Sequence, residues 1–424
     1  MTDADRRYVI ISSDCHAGAD LRAYKGYLES RWHDEFEAWA DAYDDPWALV
    51  DVSDSEYKAG VASFMSPLNW DSAKRLEVLE SEGIAAEVIF PNTVPPFFPN
   101  GLLAAPGPRD RGEYERRWAG IRAHNRWLRD FCAEAPGRRF GVAQLLIDDV
   151  EEAVAEIRWA KANGLAQVLL PSDHHLKIHN LYHRSLDPIW ATCQELEMPI
   201  GRHGSVVSAG ADADSLAAAR ACGVYETTYF GHRTLFQMVL SGVFDRFPRL
   251  ELIFTELGAA NWVIETMARL DGFCMGSKID GTIPHMFAGE AVAALELMPS
   301  DYVRRNCYFG ATVTHVDLAG LDAIGLEHLM WGADFPHHEG TVPETLKVLR
   351  ATVADVPEPS LRAMFAENAA AVYGADLDLL QEVADRIGFT PAQVAAPLAP
   401  DEVPDDPNFR MMFLSHTARI GGGS

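Results

Sequence analysis

Acidic and imidazole side chains follow four short apolar runs of this 424-residue chain. Asp14 and His16 come directly after YVIIS, His203 closes PIGRH, Glu256 closes LELIFTE and Asp334 closes HLMWGAD. In an extended chain, residues i and i+2 point to the same side, so Asp14 and His16 can meet one ion. A mixed set of imidazoles and carboxylates suits Zn²⁺ or Mn²⁺ and argues against a thiolate site.

Each of these residues also has an ordinary structural interpretation. A single Asp-x-His is common by chance, and a histidine or aspartate at a strand end is often a helix cap or a hydrogen-bonded core residue. The combination is more informative, because buried charges that converge without compensation are costly unless they share a cation. The four strand ends together therefore predict a site for a divalent ion.

The elements that must position these side chains are short apolar runs separated by longer helical patterns. Several runs are apolar at consecutive positions, which is typical of parallel strands buried on both faces. Repeated strand-then-helix units predict a (β/α)₈ TIM-type barrel, with a doubly wound open sheet as the main alternative. An α/β barrel builds its active site at the C-terminal ends of its strands, where the four positions fall. The predicted strands are Tyr8–Ser12, Ala85–Phe90, Phe140–Leu146, Ala166–Leu170, Pro199–His203, Leu250–Glu256, Cys307–Gly310 and His328–Asp334.

Three segments exceed a minimal barrel. Residues from about 20–75, rich in Asp and Trp, predict an insertion after the first strand, and the Pro-rich residues 91–110 predict one after the second. We expect residues 1–375 to form the barrel with these insertions. Residues 376–424 then predict a C-terminal helical extension and an acidic, Pro-rich tail.

Composition and motifs exclude several classes of protein. With 48% hydrophobic and 23% charged residues, the chain can bury a sizeable core, which excludes wholesale disorder. The net charge of −26 repels phosphate backbones and anionic lipids, so we expect neither nucleic acid nor a membrane as a partner. Scattered cysteines, no apolar run long enough to span a bilayer and no apolar N-terminal stretch predict a reduced, cytoplasmic protein. The sequence has no dinucleotide-binding GxGxxG after its first strand, no P-loop and no GxSxG.

Six stretches of the sequence carry a family resemblance. The chain resembles the amidohydrolase-related branch (amidohydrolase 2) of the metal-dependent hydrolase superfamily. That branch contains aminocarboxymuconate semialdehyde decarboxylase, resorcylate-type non-oxidative decarboxylases and hydrolases of C–C or amide bonds. The resemblance implies a (β/α)₈ barrel, often dimeric, with one divalent ion, Zn²⁺ or Mn²⁺, held by Asp14, His16, His203 and Asp334. The matching stretches are SSDCH, GIAAEVIFPN, SLDPIWATCQELEMPIGRHGS, SGVFDRFPRLELIFTELGAANW, MWGADFPHHEG and ENAAAVYG.

The sequence departs from the family pattern at two strand ends. The first carries Asp-x-His where the family more often has His-x-His or Glu-x-His, which keeps the number of ligands. The sixth carries Glu256 where family decarboxylases typically have a histidine in a His-x-Gly setting. We therefore expect a hydrolase that uses a metal-activated water on a small organic acid or aromatic-derived substrate. Asp334 would accept the proton of that water and pass it to the leaving group, as the resemblance suggests.

Two other functions stay open. The first is a metal-dependent non-oxidative decarboxylase, in which Glu256 could protonate carbon only if it is itself protonated at the working pH. The second is a non-catalytic barrel whose metal is structural. In the hydrolase, Glu256 would be a second acid/base, a distant metal ligand or an orienter of the water. His232, near the start of a predicted helix on the active-site face, is a further catalytic candidate. The acidic tail makes an arm exchanged within a homodimer plausible.

Overall fold

Parallel strands form the centre of the molecule. The computed structural model describes residues 6–43, 66–99, 105, 107–171, 180–204, 232–258, 260–279 and 289–414. The strands are β1 (Ile11–Ala17), β2 (Ala86–Pro91), β3 (Arg139–Gln144), β4 (Gln167–Leu169), β5 (Ile200–His203), β6 (Leu252–Thr255), β7 (Cys307–Ala311) and β8 (Leu329–Trp331).

The strands close into a barrel. Each pairs in parallel with the next strand along the chain, from β1 to β8. The segment after β8 then meets β1, because the Asp334 N–H donates to the Asp14 carbonyl at 2.8 Å and the His16 N–H donates to the Phe335 carbonyl at 2.6 Å. The predicted (β/α)₈ barrel is thereby confirmed, and an open sheet is excluded.

Helices cover the outside of the barrel and supply most of the connections between strands. Several begin at an aspartate that accepts a hydrogen bond from a backbone N–H of the first turn, as Asp149 does from Glu152 at 3.1 Å. The helices before β6 are α1 (His33–Ala42), α2 (Ser72–Ser81), α3 (Arg111–Ala133), α4 (Val150–Ala162), α5 (Asp187–Glu195), α6 (residues 232–240) and α7 (Val243–Arg246). Those after β6 are α8 (Ala260–Ile279), α9 (Gly289–Ala293), α10 (Pro299–Asn306), α11 (His315–Leu318), α12 (Leu321–Ile324), α13 (Thr345–Thr352), α14 (Glu358–Arg362), α15 (Asn368–Tyr373), α16 (Leu377–Ile387), α17 (Pro391–Val394) and α18 (Pro407–Phe409).

The barrel has two apolar layers because its strands are buried on both faces. Alternate residues point inward and form one cluster, which includes Ile11, Val88, Val142, Ile253 and Met330. The residues between them point outward into a second, larger cluster shared with the helices. Consecutive apolar residues in the sequence therefore reflect two packed faces rather than one.

Helices from the C-terminal part close the barrel at the N-terminal ends of its strands. Ala369 of α15 and Leu380 and Val383 of α16 belong to the inward-facing cluster, together with Val9 and Phe140. Further along, Phe409 and Phe413 pack on Val348 of α13, so the described part of the tail lies against its own barrel. These contacts lie opposite the C-terminal ends of the strands, which carry His203, Glu256 and Asp334. Dimer formation stays a prediction.

The boundaries of all eight strands differ from those predicted, and the differences at β1 and β8 affect the candidate site residues. β1 begins at Ile11 and continues to Ala17, so Asp14 and His16 lie within it, and β8 ends at Trp331, before Asp334. The register between β1 and β2 shifts between Ser12 and Cys15. The segments predicted as insertions contain α1 and the start of α2, whereas residues 44–65, 100–104 and 106 lie outside the described residues. Within the described ranges, no helix is long and apolar enough to cross a membrane.

Candidate active site

Strands β1 and β5 bring three of the predicted ligands together. Asp14 Oδ1 lies 3.3 Å from His16 Nε2 and 3.2 Å from His203 Nε2, and all three residues are buried. The backbone of Gly332 makes this possible, because a Cβ atom at that position would lie 2.6 Å from the Cβ of Asp14. A side chain at residue 332 would therefore displace Asp14.

Asp334 completes the group from the segment after β8. Its Oδ1 lies 3.3 Å from His16 Nε2 and 2.8 Å from His337 Nδ1. The backbone of Asp334 has a φ of +53°, and that of Glu256, directly after β6, has a φ of +55°. Left-handed non-glycine residues cost energy and cluster at functional sites. Both strained positions fall at strand ends that the sequence had singled out.

The group offers the donor atoms that a divalent cation needs. Asp14 Oδ2, His16 Nε2 and Asp334 Oδ1 are buried and have no hydrogen-bond partner of normal geometry. The ring nitrogens on the other side of both histidines face backbone oxygens: His203 Nδ1 lies 2.7 Å from the Gly204 carbonyl, and His16 Nδ1 lies 3.3 Å from the Pro91 carbonyl. Such contacts leave Nε2 as the ligand nitrogen of each ring. The residues present therefore fit a metal ion.

The charges of the group also call for a cation. Burial by itself lowers the pKa of His16, but the carboxylates of Asp14 and Asp334, each 3.3 Å from its Nε2, outweigh burial and raise it to about 10. Burial raises the pKa of Asp14, but its contacts with His16 and His203 outweigh this and lower it. In the same way, the pKa of Asp334 falls because His337 and His16 outweigh burial. Without a metal ion, a proton on His16 balances part of the negative charge.

Glu256 stands at the edge of this group. Its Oε2 lies 3.4 Å from His203 Nδ1, and 37% of its side chain is exposed. Glu256, Asp334 and Glu339 also form a set of carboxylates whose oxygens lie within 4.8 Å of one another. Burial, together with the charges of Asp334 and Asp14, raises the pKa of Glu256 well above its usual value. Glu256 is therefore placed to hold a proton in the metal-free protein.

His232 lies against Trp262 rather than among the proposed metal ligands. Its ring stacks on Trp262 of α8, with centroids 3.9 Å apart and planes 8° apart. Burial lowers the pKa of His232 to about 4, so the ring is neutral near pH 7. Trp262 itself donates from Nε1 to the Leu257 carbonyl at 2.8 Å, beside Glu256. In the described part of the chain no recorded contact joins His232 to Asp14, His16 or His203, and its catalytic role stays a prediction.

Two asparagines at the site were missed by the sequence reasoning. His337, on the loop after Asp334, stacks on His16 with ring centroids 3.9 Å apart. Its Nε2 lies 3.2 Å from Asn92 Oδ1, and Asn92 Nδ2 donates to Asn69 Oδ1 at 2.6 Å. Asn92 follows β2 directly, so the rule that singled out the other strand ends would have found it. Asn69 precedes α2, and nothing in its sequence context marks it.

Comparison with known proteins places this geometry in context. No curated protein sequence matches the chain significantly. Among solved structures, 5-carboxyvanillate decarboxylase from Sphingomonas paucimobilis is similar with a TM-score of 0.62 and 19% identity, over 87% of this chain and 100% of that chain. Dihydroxybenzoic acid decarboxylase from Polaromonas, solved with manganese and the inhibitor 2-nitroresorcinol, has a TM-score of 0.58 and 18% identity, over 87% and 97%. An amidohydrolase from Mycobacterium avium has a TM-score of 0.60 and 20% identity, over 88% and 99%.

These structural likenesses show a shared fold, and a sequence match shows the family. The family model described as amidohydrolase matches residues 69–375, which include β2 to β8 and the strand ends that carry His203, Glu256 and Asp334. The match covers well over half of the chain. The chain therefore belongs to the amidohydrolase family.

Proposed function

We propose that the protein is a divalent-metal-dependent, non-oxidative decarboxylase of hydroxylated aromatic carboxylic acids. The observation that carries the proposal is the buried group of two imidazoles and two carboxylates at the C-terminal ends of the strands, with donor atoms that have no hydrogen-bond partner among the described residues. Similar structures of 5-carboxyvanillate and dihydroxybenzoic acid decarboxylases support carboxy-lyase chemistry on this fold. They favour decarboxylation over the hydrolysis expected from sequence.

In this proposal Asp14, His16, His203 and Asp334 hold the ion, Mn²⁺ or Zn²⁺. A bound divalent cation would supply positive charge for the substrate carboxylate and a neighbouring oxygen. His337 and Asn92 orient Asp334, since they form a chain of contacts of 2.8 and 3.2 Å that ends on its Oδ1. The Gly204 and Pro91 carbonyls fix the two histidine rings in the same way.

The reaction requires one proton. The bond between the ring carbon and the carboxylate carbon breaks, CO₂ leaves, and the ring carbon takes a proton in its place. Glu256 is the acid nearest to the group that is also partly open to solvent, so it can deliver a proton and regain one from water. It would occupy the position at which family decarboxylases typically carry a histidine.

The test measures which bond breaks. The full chain, loaded with Mn²⁺ or Zn²⁺, is incubated in D₂O with 2,6-dihydroxybenzoate or 5-carboxyvanillate, and in parallel with the anilides of the same acids. We expect CO₂ release matched by an arene that carries one deuterium at the former carboxyl position. His203→Ala should lose this activity, whereas His183→Ala, at an exposed position on another loop, should keep it. Cleavage of the anilides without CO₂ release from the acids would return the function to hydrolysis.

A further inference from the structure

Gln144, the last residue of β3, carries a buried amide that makes no hydrogen bond to the residues that the structure describes. The residue is fully buried, and within the described structure neither its Oε1 nor its Nε2 makes a hydrogen bond. Its backbone is held firmly, since its N–H donates to Asn125 Oδ1 at 2.9 Å and its carbonyl accepts from Asn125 Nδ2 at 3.0 Å. Buried polar side chains are usually hydrogen-bonded, so an amide with an unused acceptor and two unused donors requires an explanation.

The side chain of Gln144 faces the inside of the barrel. Val142 and Phe140, two and four residues earlier on β3, belong to the inward-facing cluster. Successive residues of a strand alternate between its faces, so Gln144 points the same way. Because β3 ends at Gln144, the amide lies at the end of the barrel that carries the candidate active site.

The strand register places Gln144 at the level of the metal-binding histidines. The interior of such a barrel is filled in layers, each formed by residues from alternate strands. Because the strands are tilted, with a shear of about eight, the residue at the same level on the next strand lies about one position away from the direct pairing partner. Direct pairing leads from Gln144 through Leu169 to Gly201, and His203 lies two residues beyond Gly201 on β5. In the other direction, from β3 through β2 to β1, the pairing and the same shift of one residue per strand lead to His16. Gln144 therefore shares a layer with His16 and His203.

Two neighbouring contacts agree with this layering. The ring of Phe90, which falls one layer below, packs on His203 with a centroid distance of 4.6 Å and on His16 at 6.1 Å. Thr255, the pairing partner of His203, is also fully buried and has an unpartnered hydroxyl. Unused neutral polar groups thus lie on strands on both sides of His203.

We propose that Gln144 binds a ring hydroxyl group of the substrate. A hydroxyl both accepts and donates, which matches the N–H and carbonyl of one amide, whereas a plain carboxylate only accepts. A substrate that reaches His16 and His203 enters the layer of Gln144, and its hydroxyl would fill the unused hydrogen-bonding capacity there. Gln144 thereby selects hydroxylated acids over unsubstituted ones. This assignment rests on the proposed function, because it takes the substrate to be an aromatic acid.

A second buried glutamine provides a matched control. Gln167 lies on the neighbouring strand β4, faces the same interior two residues before Leu169 and is also fully buried. Its Oε1 accepts a hydrogen bond from the Tyr373 hydroxyl at 2.9 Å. The Gln167 carbonyl therefore has a structural partner near the N-terminal ends of the strands, whereas neither polar atom of the Gln144 side chain has one among the described residues.

The experiment compares Gln144→Met with Gln167→Met in the full, metal-loaded chain. Methionine keeps the length of glutamine and removes its polar atoms. Metal content and Tm are measured first, and binding of 2,6-dihydroxybenzoate and of benzoate then follows by calorimetry. For Gln144→Met we expect unchanged metal content, a Tm at or above that of the original protein, and at least about tenfold weaker binding of 2,6-dihydroxybenzoate. Benzoate binding should change less than about threefold. Gln167→Met should lower Tm and leave both affinities unchanged.

The possible outcomes distinguish a failure of the role of Gln144 from a failure of the proposed function. If Gln144→Met lowers Tm and leaves binding unchanged, the amide is structural or holds only water, and the assignment of Gln144 is wrong. If the original protein releases CO₂ and Gln144→Met keeps its preference for the hydroxylated acid, only this inference fails. If the preference depends on Gln144 but no CO₂ is released, only the proposed function fails. A protein that binds neither acid contradicts both.

Discussion

A metal ion held only by the folded barrel should stabilise the protein by an amount that depends on its free concentration. The proposed ligand His203 is 189 residues away from Asp14 along the chain, and Asp334 is farther still from Asp14. An unfolded chain cannot hold these residues together, so the ion binds the folded state alone. For one such ion, the free energy of unfolding rises by about 1.4 kcal/mol for each tenfold increase in free ion above the dissociation constant.

Urea unfolding at fixed free Mn²⁺ or Zn²⁺, set with metal buffers, measures this slope. We expect about 1.4 kcal/mol per decade for the full chain, and a slope near zero for His203→Ala. His183→Ala removes an exposed histidine away from the group and should keep the full slope. A slope that is zero in the original protein, or unchanged in His203→Ala, would refute the assignment of the metal site.

The slope also counts ions. The carboxylates of Glu256, Asp334 and Glu339 lie within 4.8 Å of one another, next to the proposed ligands. If this second set also held an ion, the slope would double to about 2.7 kcal/mol per decade. Glu339→Gln would then return it to about 1.4. We expect no change in that variant, because the unpartnered buried atoms belong to Asp14, His16 and Asp334.

Three further outcomes are expected. Asp334→Asn removes a charged oxygen from the proposed metal site and should reduce CO₂ release at least about 100-fold; activity within a few-fold of the original would contradict its role. Glu256→Gln should lose CO₂ release by a similar factor and still bind the ion in equilibrium dialysis, and a near-normal rate would assign Glu256 a structural role. His124 is buried with its pKa lowered to about 3, so from pH 7 to 5 the unfolded chain gains a proton that the folded chain does not, and stability falls by about 2 kcal/mol. Urea unfolding at both pH values should show a smaller fall for His124→Asn, and an equal fall would exclude this cause.

The sequence could predict the barrel because strands that are buried on both faces are apolar at consecutive positions. Runs such as EVIF in β2 and LIFT in β6 are apolar at every position but one, and they separate helical patterns of amphipathic character. Polar residues at the ends of such runs then mark the C-terminal ends of the strands, where an α/β barrel builds its active site. His203, Glu256 and Asp334 were found in this way. Asn92, at the end of β2, carries the same signal.

Other features depend on long-range contacts that a sequence does not display. β1 continues through the polar residues Ser13 and Asp14 because its backbone pairs with β2 on one side and with the segment after β8 on the other. The position of His337 over His16 depends on the path of a loop, and Asn69 reaches Asn92 from the start of α2. Gln144 has the right alternation on β3, but only the register shows that it lies level with His16 and His203.

Two sets of buried carboxylates, one on β2 and one on β1 and the segment after β8, show how the fold treats negative charge. Glu87, on the outer face of β2, is paired with Arg75 at 2.5 Å and with Arg139 at 3.2 Å, and all three side chains are excluded from solvent. Inside the barrel, the cationic partners that the described residues offer to Asp14 and Asp334 are imidazoles. Removing one partner of a buried charge is strongly destabilising, so a core that lacks a permanent cation must obtain one from elsewhere. In the metal-free protein His16 supplies it by holding a proton. The arginines on the outer face therefore indicate a structural role for Glu87. The imidazoles inside the barrel indicate that Asp14 and Asp334 are there to bind a cation.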